Sequence, residues 1–113
     1  MSNVIDRNEL QRRLAGPART ILVESLPEKY YRDWHLPGAL HLPHTQVREL
    51  APALLPEKSA DIVVYCASAT CQNSHIAAGI LGQLGYRSVS VYGGGKEDWS
   101  GAGLAVEREA VTA

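Results

Sequence analysis

The stretch that decides the fold reads Asp61-Ile62-Val63-Val64-Tyr65-Cys66-Ala67-Ser68-Ala69-Thr70-Cys71-Gln72-Asn73-Ser74. Its apolar first part is typical of a buried strand. Cys66 follows that strand directly, and a loop of small polar residues leads from it into a helix. The pattern therefore places a thiol beside the unpaired backbone N–H groups of a helix N-terminus. Such groups favour negative charge, so they lower the pKa of a thiol and bind an anionic substrate.

Strands and helices alternate along the rest of the chain. The apolar pattern predicts strands at 4–5, 20–23, 39–42, 62–65 and 88–92. Helices are predicted from Asp6 to Gly16-Pro17, from an opening at Ser25 and Glu28 through Trp34, from Val47 to Pro56, up to Gly85, and around Trp99. This order predicts an α/β fold, with a mainly parallel sheet of about five strands covered by helices on both faces. Ligands of such sheets bind beyond the carboxyl ends of the strands, where Cys66 falls.

Length and composition exclude several classes of function. With 113 residues, the chain is expected to form a single domain over residues 1–113. Eleven Lys and Arg against twelve Asp and Glu give a net charge of −1, so neither nucleic acid nor an anionic membrane is an expected partner. No signal segment or membrane span is evident. Two cysteines indicate neither a disulfide framework nor a zinc site, so we expect a cytoplasmic protein with reduced thiols and no metal or cofactor.

Cys66 is the candidate nucleophile, although a buried and inert cysteine is the alternative interpretation. A nucleophilic thiolate needs a partner that favours negative charge, yet residues 62–86 contain no Asp, Glu, Lys or Arg. Stabilisation would have to come from backbone N–H groups of the loop and the helix. Cys71 is either a small residue near the helix start or a resolving thiol that forms a reversible disulfide with Cys66.

The chain resembles the rhodanese-like sulfurtransferase domains, in motifs that follow the family's order over nearly the whole sequence. The strand-Cys66-loop-helix arrangement is similar to the family's active-site loop. The other similar motifs are Trp34-His35-Leu36-Pro37-Gly38-Ala39, Leu84-Gly85-Tyr86 with Val89-Ser90-Val91-Tyr92-Gly93-Gly94, and Lys96-Glu97-Asp98-Trp99 with Gly101-Ala102-Gly103-Leu104 and Val106-Glu107.

The resemblance implies a rhodanese-like three-layer α/β/α fold and a rhodanese-type sulfurtransferase of the thiosulfate:cyanide class. Cys66 would take sulfane sulfur from a small donor such as thiosulfate, form a persulfide, and pass the sulfur to cyanide or a thiol acceptor. The substrate-binding loop would comprise Ala67, Ser68, Ala69, Thr70, Cys71, Gln72, Asn73 and Ser74.

Two departures from the family bear on this interpretation. A common rhodanese loop has Arg five residues after the catalytic cysteine and Ser directly after that Arg. Here Cys71 stands at the position of the Arg, and Ser74 is the serine that could open the helix. Because the loop has no arginine whose planar guanidinium could hold an oxyanion, it stays open whether thiosulfate is the physiological donor. In addition, Glu24 stands where many members have an aspartate, and we expect it to join a structural network.

Other residues are expected to support the site. Lys96 is interpreted as lending positive charge to the site mouth, and Gly93-Gly94-Gly95 as letting the backbone pass close to the Cys66 loop. His35 is expected to brace the turn at Pro37-Gly38. His41 and His44 flank a proline and make a poor set of metal ligands.

Two other functions compete with sulfur transfer. A cysteine phosphatase or arsenate reductase also uses a thiolate in an anion-binding loop, but such phosphatases typically have an arginine six residues after the cysteine, where Gln72 stands. A non-catalytic redox-sensing or interaction module would use Cys66 and Cys71 as a switch. The sequence leaves open the physiological donor and acceptor, the pathway, the role of Cys71 and the oligomeric state.

Overall fold

A computed structural model describes residues 3–108 and contains five strands and five helices in alternation. The strands are β1 (Asn3–Ile5), β2 (Thr20–Glu24), β3 (Leu40–His41), β4 (Asp61–Tyr65) and β5 (Ser88–Tyr92). The helices are α1 (Arg7–Ala15), α2 (Glu28–Asp33), α3 (Val47–Leu54), α4 (Asn73–Gln83) and α5 (Gly95–Gly101).

The five strands form one sheet in the order β1-β5-β4-β2-β3, and every neighbouring pair is parallel. The most apolar strand, β4, therefore lies at the centre, between β5 and β2. A parallel sheet is buried on both faces, which explains why β4 reads as a continuous apolar run rather than an alternating one. The predicted α/β class and parallel sheet are confirmed.

Side chains of β4 alternate between two hydrophobic cores. Ile62 and Val64 pack into a core with buried residues of α3 and α4, whereas Val63 and Tyr65 pack into a second core with Leu10 of α1 and Trp99 of α5. All four strand residues are fully buried. Helices thus cover both faces of the sheet, which gives the three-layer α/β/α arrangement.

Local sequence signals set some of the element boundaries. Asp6 caps α1, and its carboxylate accepts a hydrogen bond from the Glu9 backbone N–H at 2.9 Å. Gly85 follows α4 with φ +98°, a conformation that favours glycine.

Of the two residues predicted to open α2, Glu28 begins the helix and Ser25 lies outside it, and the helix ends one residue before the predicted Trp34. The helix begins at Glu28 after Pro27 and ends at Asp33, before Trp34. Ser25 does not cap it: this side chain is buried, and its Oγ donates to the Tyr65 carbonyl oxygen at 3.0 Å. Sheet contacts therefore determine the role of Ser25.

Candidate active site

Cys66 lies at the carboxyl end of the central strand, where the sequence predicts it. Its neighbour Tyr65 is in register with Glu24 of β2 and with Tyr92 of β5. The loop after Cys66 therefore begins between the ends of two flanking strands. Parallel sheets usually bind ligands at this edge.

The Cys66 thiol is enclosed by the loop that follows it. Cys66 is 1% exposed; its S–H donates to the Cys71 carbonyl oxygen at 3.4 Å, and its Sγ lies 3.3 Å from the Ser74 Oγ, which has a hydroxyl proton to donate. Burial raises the pKa of Cys66, and the Cys71 side chain raises it further. Hydrogen bonds from the Ser74 side chain and backbone N–H act in the opposite direction. Burial therefore disfavours the Cys66 thiolate, and Ser74 offsets part of this effect.

Cys71 is in a different electrostatic environment. Its side chain is half-buried, and burial alone would oppose its ionisation. The Cys66 side chain and the backbone N–H groups of Ala67 and Asn73 outweigh this effect and lower the pKa of Cys71. Loop N–H groups thus act on Cys71, whereas only that of Ser74 acts on Cys66.

The remaining loop residues surround the two thiols with small side chains and backbone. A turn closes where the Cys71 N–H donates to the Ser68 carbonyl oxygen at 3.1 Å, and the hydroxyls of Ser68 and Thr70 lie 3.2 Å apart. Exposure varies along the loop. Ala67, Ala69, Thr70 and Gln72 are exposed, Ser68, Cys71 and Asn73 are half-buried, and Ser74 is buried.

Helix α5 anchors the first part of the loop through backbone hydrogen bonds. The Lys96 N–H donates to the Cys66 carbonyl oxygen at 2.9 Å, and the Glu97 N–H donates to the Ala67 carbonyl oxygen at 2.8 Å. Gly95, at φ +63°, makes this approach possible because a Cβ there would overlap the Cys66 carbonyl oxygen. The expectation that the glycine run passes close to the Cys66 loop is confirmed.

The Lys96 side chain does not lend its charge to the site mouth, so that expectation is wrong. Its Nζ lies 3.1 Å from the Glu24 Oε1, donates to the Tyr30 carbonyl oxygen at 2.7 Å, and sits 4.7 Å from the centre of the Trp34 ring. Lys96 and Glu24 are both buried, and in a site from which water is excluded the Glu24 carboxylate attracts the Lys96 ammonium more strongly than it would in water.

Glu24 joins a buried polar network, as the sequence led us to expect. The Tyr65 hydroxyl donates to the Glu24 Oε1 at 2.9 Å and accepts from the Leu36 N–H at 3.1 Å. Glu24 is 0% exposed, and burial raises its pKa, while Lys96 and Tyr65 favour the carboxylate. Sequence analysis missed Tyr65 as a member because its pattern indicates only a buried strand residue.

His35 and His41 take structural roles in the fold. The His35 ring stacks on Tyr31 at 3.9 Å between ring centres, and its Nδ1 lies 2.8 Å from the Tyr31 carbonyl oxygen. The His41 Nε2 lies 2.7 Å from the Leu26 carbonyl oxygen. No group of three or more His, Cys, Asp or Glu side chains among residues 3–108 could hold a metal ion. In the same range, no helix is long and apolar enough to cross a membrane.

Fold and site together define a class of α/β proteins with a cysteine at the end of the central strand and a loop that leads into a helix N-terminus. The model of the rhodanese-like domain family matches residues 6–102. The chain belongs to that family.

The relatives of this chain are named for different functions. The chain is 33% identical over 108 residues to the HTH-type transcriptional regulator Rv0324 of Mycobacterium tuberculosis, which covers 96% of this chain but 46% of the relative. It is 33% identical over 72 residues to the thiosulfate sulfurtransferase PspE of Escherichia coli, which covers 64% of this chain and 66% of the relative. The structure of the BH2092 protein from Bacillus halodurans superposes with a TM-score of 0.85 and 28% identity, covering 95% of this chain and 77% of that one.

Proposed function

We propose that the protein is a sulfurtransferase that moves sulfane sulfur from a donor such as thiosulfate to cyanide or a thiol acceptor through a persulfide on Cys66. The observation that carries the proposal is the position of the Cys66 Sγ, at the end of the central strand and 3.3 Å from the Ser74 Oγ at the start of α4. Similarity to a relative named as a thiosulfate sulfurtransferase supports it.

The proposed reaction consists of two displacements, in which one covalent intermediate replaces a single difficult transfer. In the first, the Cys66 thiolate attacks the outer sulfur of thiosulfate; the sulfur–sulfur bond of the donor breaks, and sulfite leaves with the bonding electrons. In the second, the acceptor attacks the outer sulfur of the persulfide, and Cys66 leaves as a thiolate. With cyanide as the acceptor, the product is thiocyanate.

Neutral hydrogen-bond donors have to stabilise the charge in both steps. Ser74 contacts the Cys66 sulfur through its hydroxyl and lowers the pKa of that thiol through its backbone N–H as well. Residues 62–86 carry no formal charge apart from ionised thiols or a protonated His75. A dianionic donor would therefore meet backbone dipoles rather than an arginine, so we expect donors of lower charge to bind at least as well as thiosulfate.

Mass spectrometry of the loaded protein tests this proposal. The reduced protein is incubated with thiosulfate, or with an organic thiosulfonate as a donor of lower charge, and its intact mass is followed together with release of sulfite or sulfinate. We expect donor cleavage by the wild-type protein and none by Cys66→Ser. Absence of donor cleavage by the wild-type protein with both donors would refute the assignment.

A non-catalytic redox-sensing module is the second candidate. The match to a transcriptional regulator over nearly this whole chain favours it, since the regulator has further sequence outside the matched part. This candidate predicts a thiol change without sulfur turnover: peroxide would oxidise Cys66 and Cys71, while thiocyanate would not form from thiosulfate and cyanide. Steady production of thiocyanate would exclude it as the sole function.

A phosphatase activity has less support. Phosphoryl transfer needs positive charge against the transferred group, and the loop has Gln72 where an arginine is typical. The nearby Lys96 is paired with Glu24. We expect hydrolysis of an aryl phosphate to stay at the background rate.

A further inference from the structure

The two thiols of the loop differ in accessibility although they belong to one short segment. Cys66 is 1% exposed, whereas Cys71 is half-buried and nearer to solvent. The Cys66 Sγ nevertheless touches the backbone of Cys71, with 3.4 Å between the sulfur and the Cys71 carbonyl oxygen. A persulfide formed at Cys66 would have Cys71 as an immediate neighbour.

The loop folds back on itself and so brings Cys71 close to Cys66. The turn between the Ser68 carbonyl oxygen and the Cys71 N–H, at 3.1 Å, reverses the chain between the two cysteines. Hydrogen bonds from α5 hold the carbonyl groups of Cys66 and Ala67 at one end of the loop. Ala69 and Thr70, at its far side, are exposed. Cys66 is thus anchored, while the segment that carries Cys71 has space to adjust.

The surroundings of the two thiols favour ionisation of Cys71 over that of Cys66. Its pKa is lowered by the Cys66 side chain and by the N–H groups of Ala67 and Asn73, while burial raises that of Cys66. The sulfur whose ionisation is favoured is also the more accessible one of the pair. A thiolate is the species that attacks a persulfide or a disulfide.

We propose that Cys71 is a resolving thiol, which discharges the Cys66 persulfide as hydrosulfide and closes a Cys66–Cys71 disulfide. This inference rests on the proposed function, because it needs the persulfide that the first displacement forms. It identifies the co-substrate class as a dithiol, or a pair of thiols, that reopens the disulfide for the next cycle.

The resolving step balances without an external oxidant. The Cys71 thiolate attacks the Cys66 Sγ, and the bond between the two cysteine sulfurs forms. The bond between the Cys66 Sγ and the outer sulfur breaks, and hydrosulfide leaves with the bonding electrons and the persulfide proton. The outer sulfur is reduced to sulfide and the Cys71 sulfur is oxidised to the disulfide level, at which the Cys66 sulfur already stands in the persulfide. A dithiol then reduces the disulfide by thiol–disulfide exchange.

The experiment follows hydrosulfide, donor cleavage and intact mass in the same sample. Reduced protein, free of added thiol, is mixed with excess thiosulfate or thiosulfonate and quenched at intervals. For the wild type we expect about one hydrosulfide released per chain and a loss of two hydrogens, since one disulfide forms per persulfide. Peptide mapping should place the disulfide between Cys66 and Cys71. Adding a dithiol should restore the reduced mass and allow repeated hydrosulfide release.

Two variants at the resolving position complete the test. Cys71→Ser and Cys71→Ala should cleave the donor but keep a mass gain of one sulfur and release no hydrosulfide. A wild-type protein that cleaves the donor and retains the added sulfur, with no disulfide, would overturn the resolving role and leave the proposed sulfurtransferase intact. A wild-type protein that cleaves neither donor would overturn the proposed function itself.

Discussion

Gly95→Ala tests the contact on which the geometry of the candidate site depends. The added Cβ would overlap the Cys66 carbonyl oxygen and lie 3.0 Å from the Ala67 carbonyl carbon and the Ser68 nitrogen, all of them backbone atoms of the anchored loop. The backbone at Gly95 has φ +63°, which costs another residue type about 1–2 kcal/mol. Separating α5 from the loop would also break two backbone hydrogen bonds, each contributing about 0.5–1.5 kcal/mol.

We therefore expect Gly95→Ala to lower the free energy of unfolding by about 2–5 kcal/mol in urea denaturation. Donor cleavage by Cys66 should fall as well, measured under conditions where the variant is fully folded, because the Cys66 carbonyl can no longer be held at its present distance. Gly79→Ala is the matched control. Gly79 lies within α4, and a Cβ added there would meet open space, so the substitution should stabilise the protein by about 0.5–1 kcal/mol and leave donor cleavage unchanged.

A Gly95→Ala variant as stable as the wild type and equally fast in donor cleavage would contradict this reasoning. It would mean that α5 can move away from the loop without consequence for Cys66. Reduced stability with unchanged donor cleavage would instead separate the two effects, and would show that α5 supports the fold but not the position of the thiol.

Three further predictions concern the polar groups of the site. Lys96→Met should lower the free energy of unfolding by about 3–5 kcal/mol in urea, because it leaves the Glu24 carboxylate buried without its partner. The double variant Glu24→Gln/Lys96→Met should recover much of this loss, and equal stability of the two variants would argue against the charge as its cause. Ser74→Ala should raise the pKa of Cys66, because it removes a hydroxyl that favours the thiolate, so alkylation of Cys66 should require more alkaline solution; an unchanged pH profile would rule out this contribution. In the wild type, iodoacetamide near neutral pH should label Cys71 before Cys66, since a lowered pKa leaves more thiolate, as peptide mapping can check. Labelling in the reverse order would contradict the assigned ionisation order.

The fold could be predicted because its signals are local. Residues 62–65 are apolar without alternation, which identifies a strand buried on both faces, and helical segments between such strands require parallel pairing. The start of α2 could not be predicted in this way. Ser25 has the side chain of a helix cap, but its hydroxyl bonds to the Tyr65 carbonyl oxygen, a partner 40 residues away.

Only those parts of the candidate site that are close together in the sequence could be predicted. Cys66, Ser74 and the turn between them belong to one segment, so their proximity follows from sequence order. The contact between Lys96 and Glu24 does not follow from sequence order, because the two residues are 72 positions apart in the sequence. A lysine close in sequence to a glycine run indicates positive charge near the loop, but its direction depends on which strand end carries a carboxylate.

The buried pair of Lys96 and Glu24 has a consequence for the chemistry of the loop. Both belong to elements that flank Cys66, but their charges compensate each other, so the pair contributes a dipole rather than a net charge. Backbone N–H groups are then left as the main fixed source of positive potential at the thiols, and two of those that act there favour the Cys71 anion. A loop with an arginine can hold a free dianion beside its cysteine. In this loop, the fixed dipoles favour ionisation of Cys71, which is a neighbour of Cys66, and this favours chemistry between the two cysteines once sulfur has been loaded.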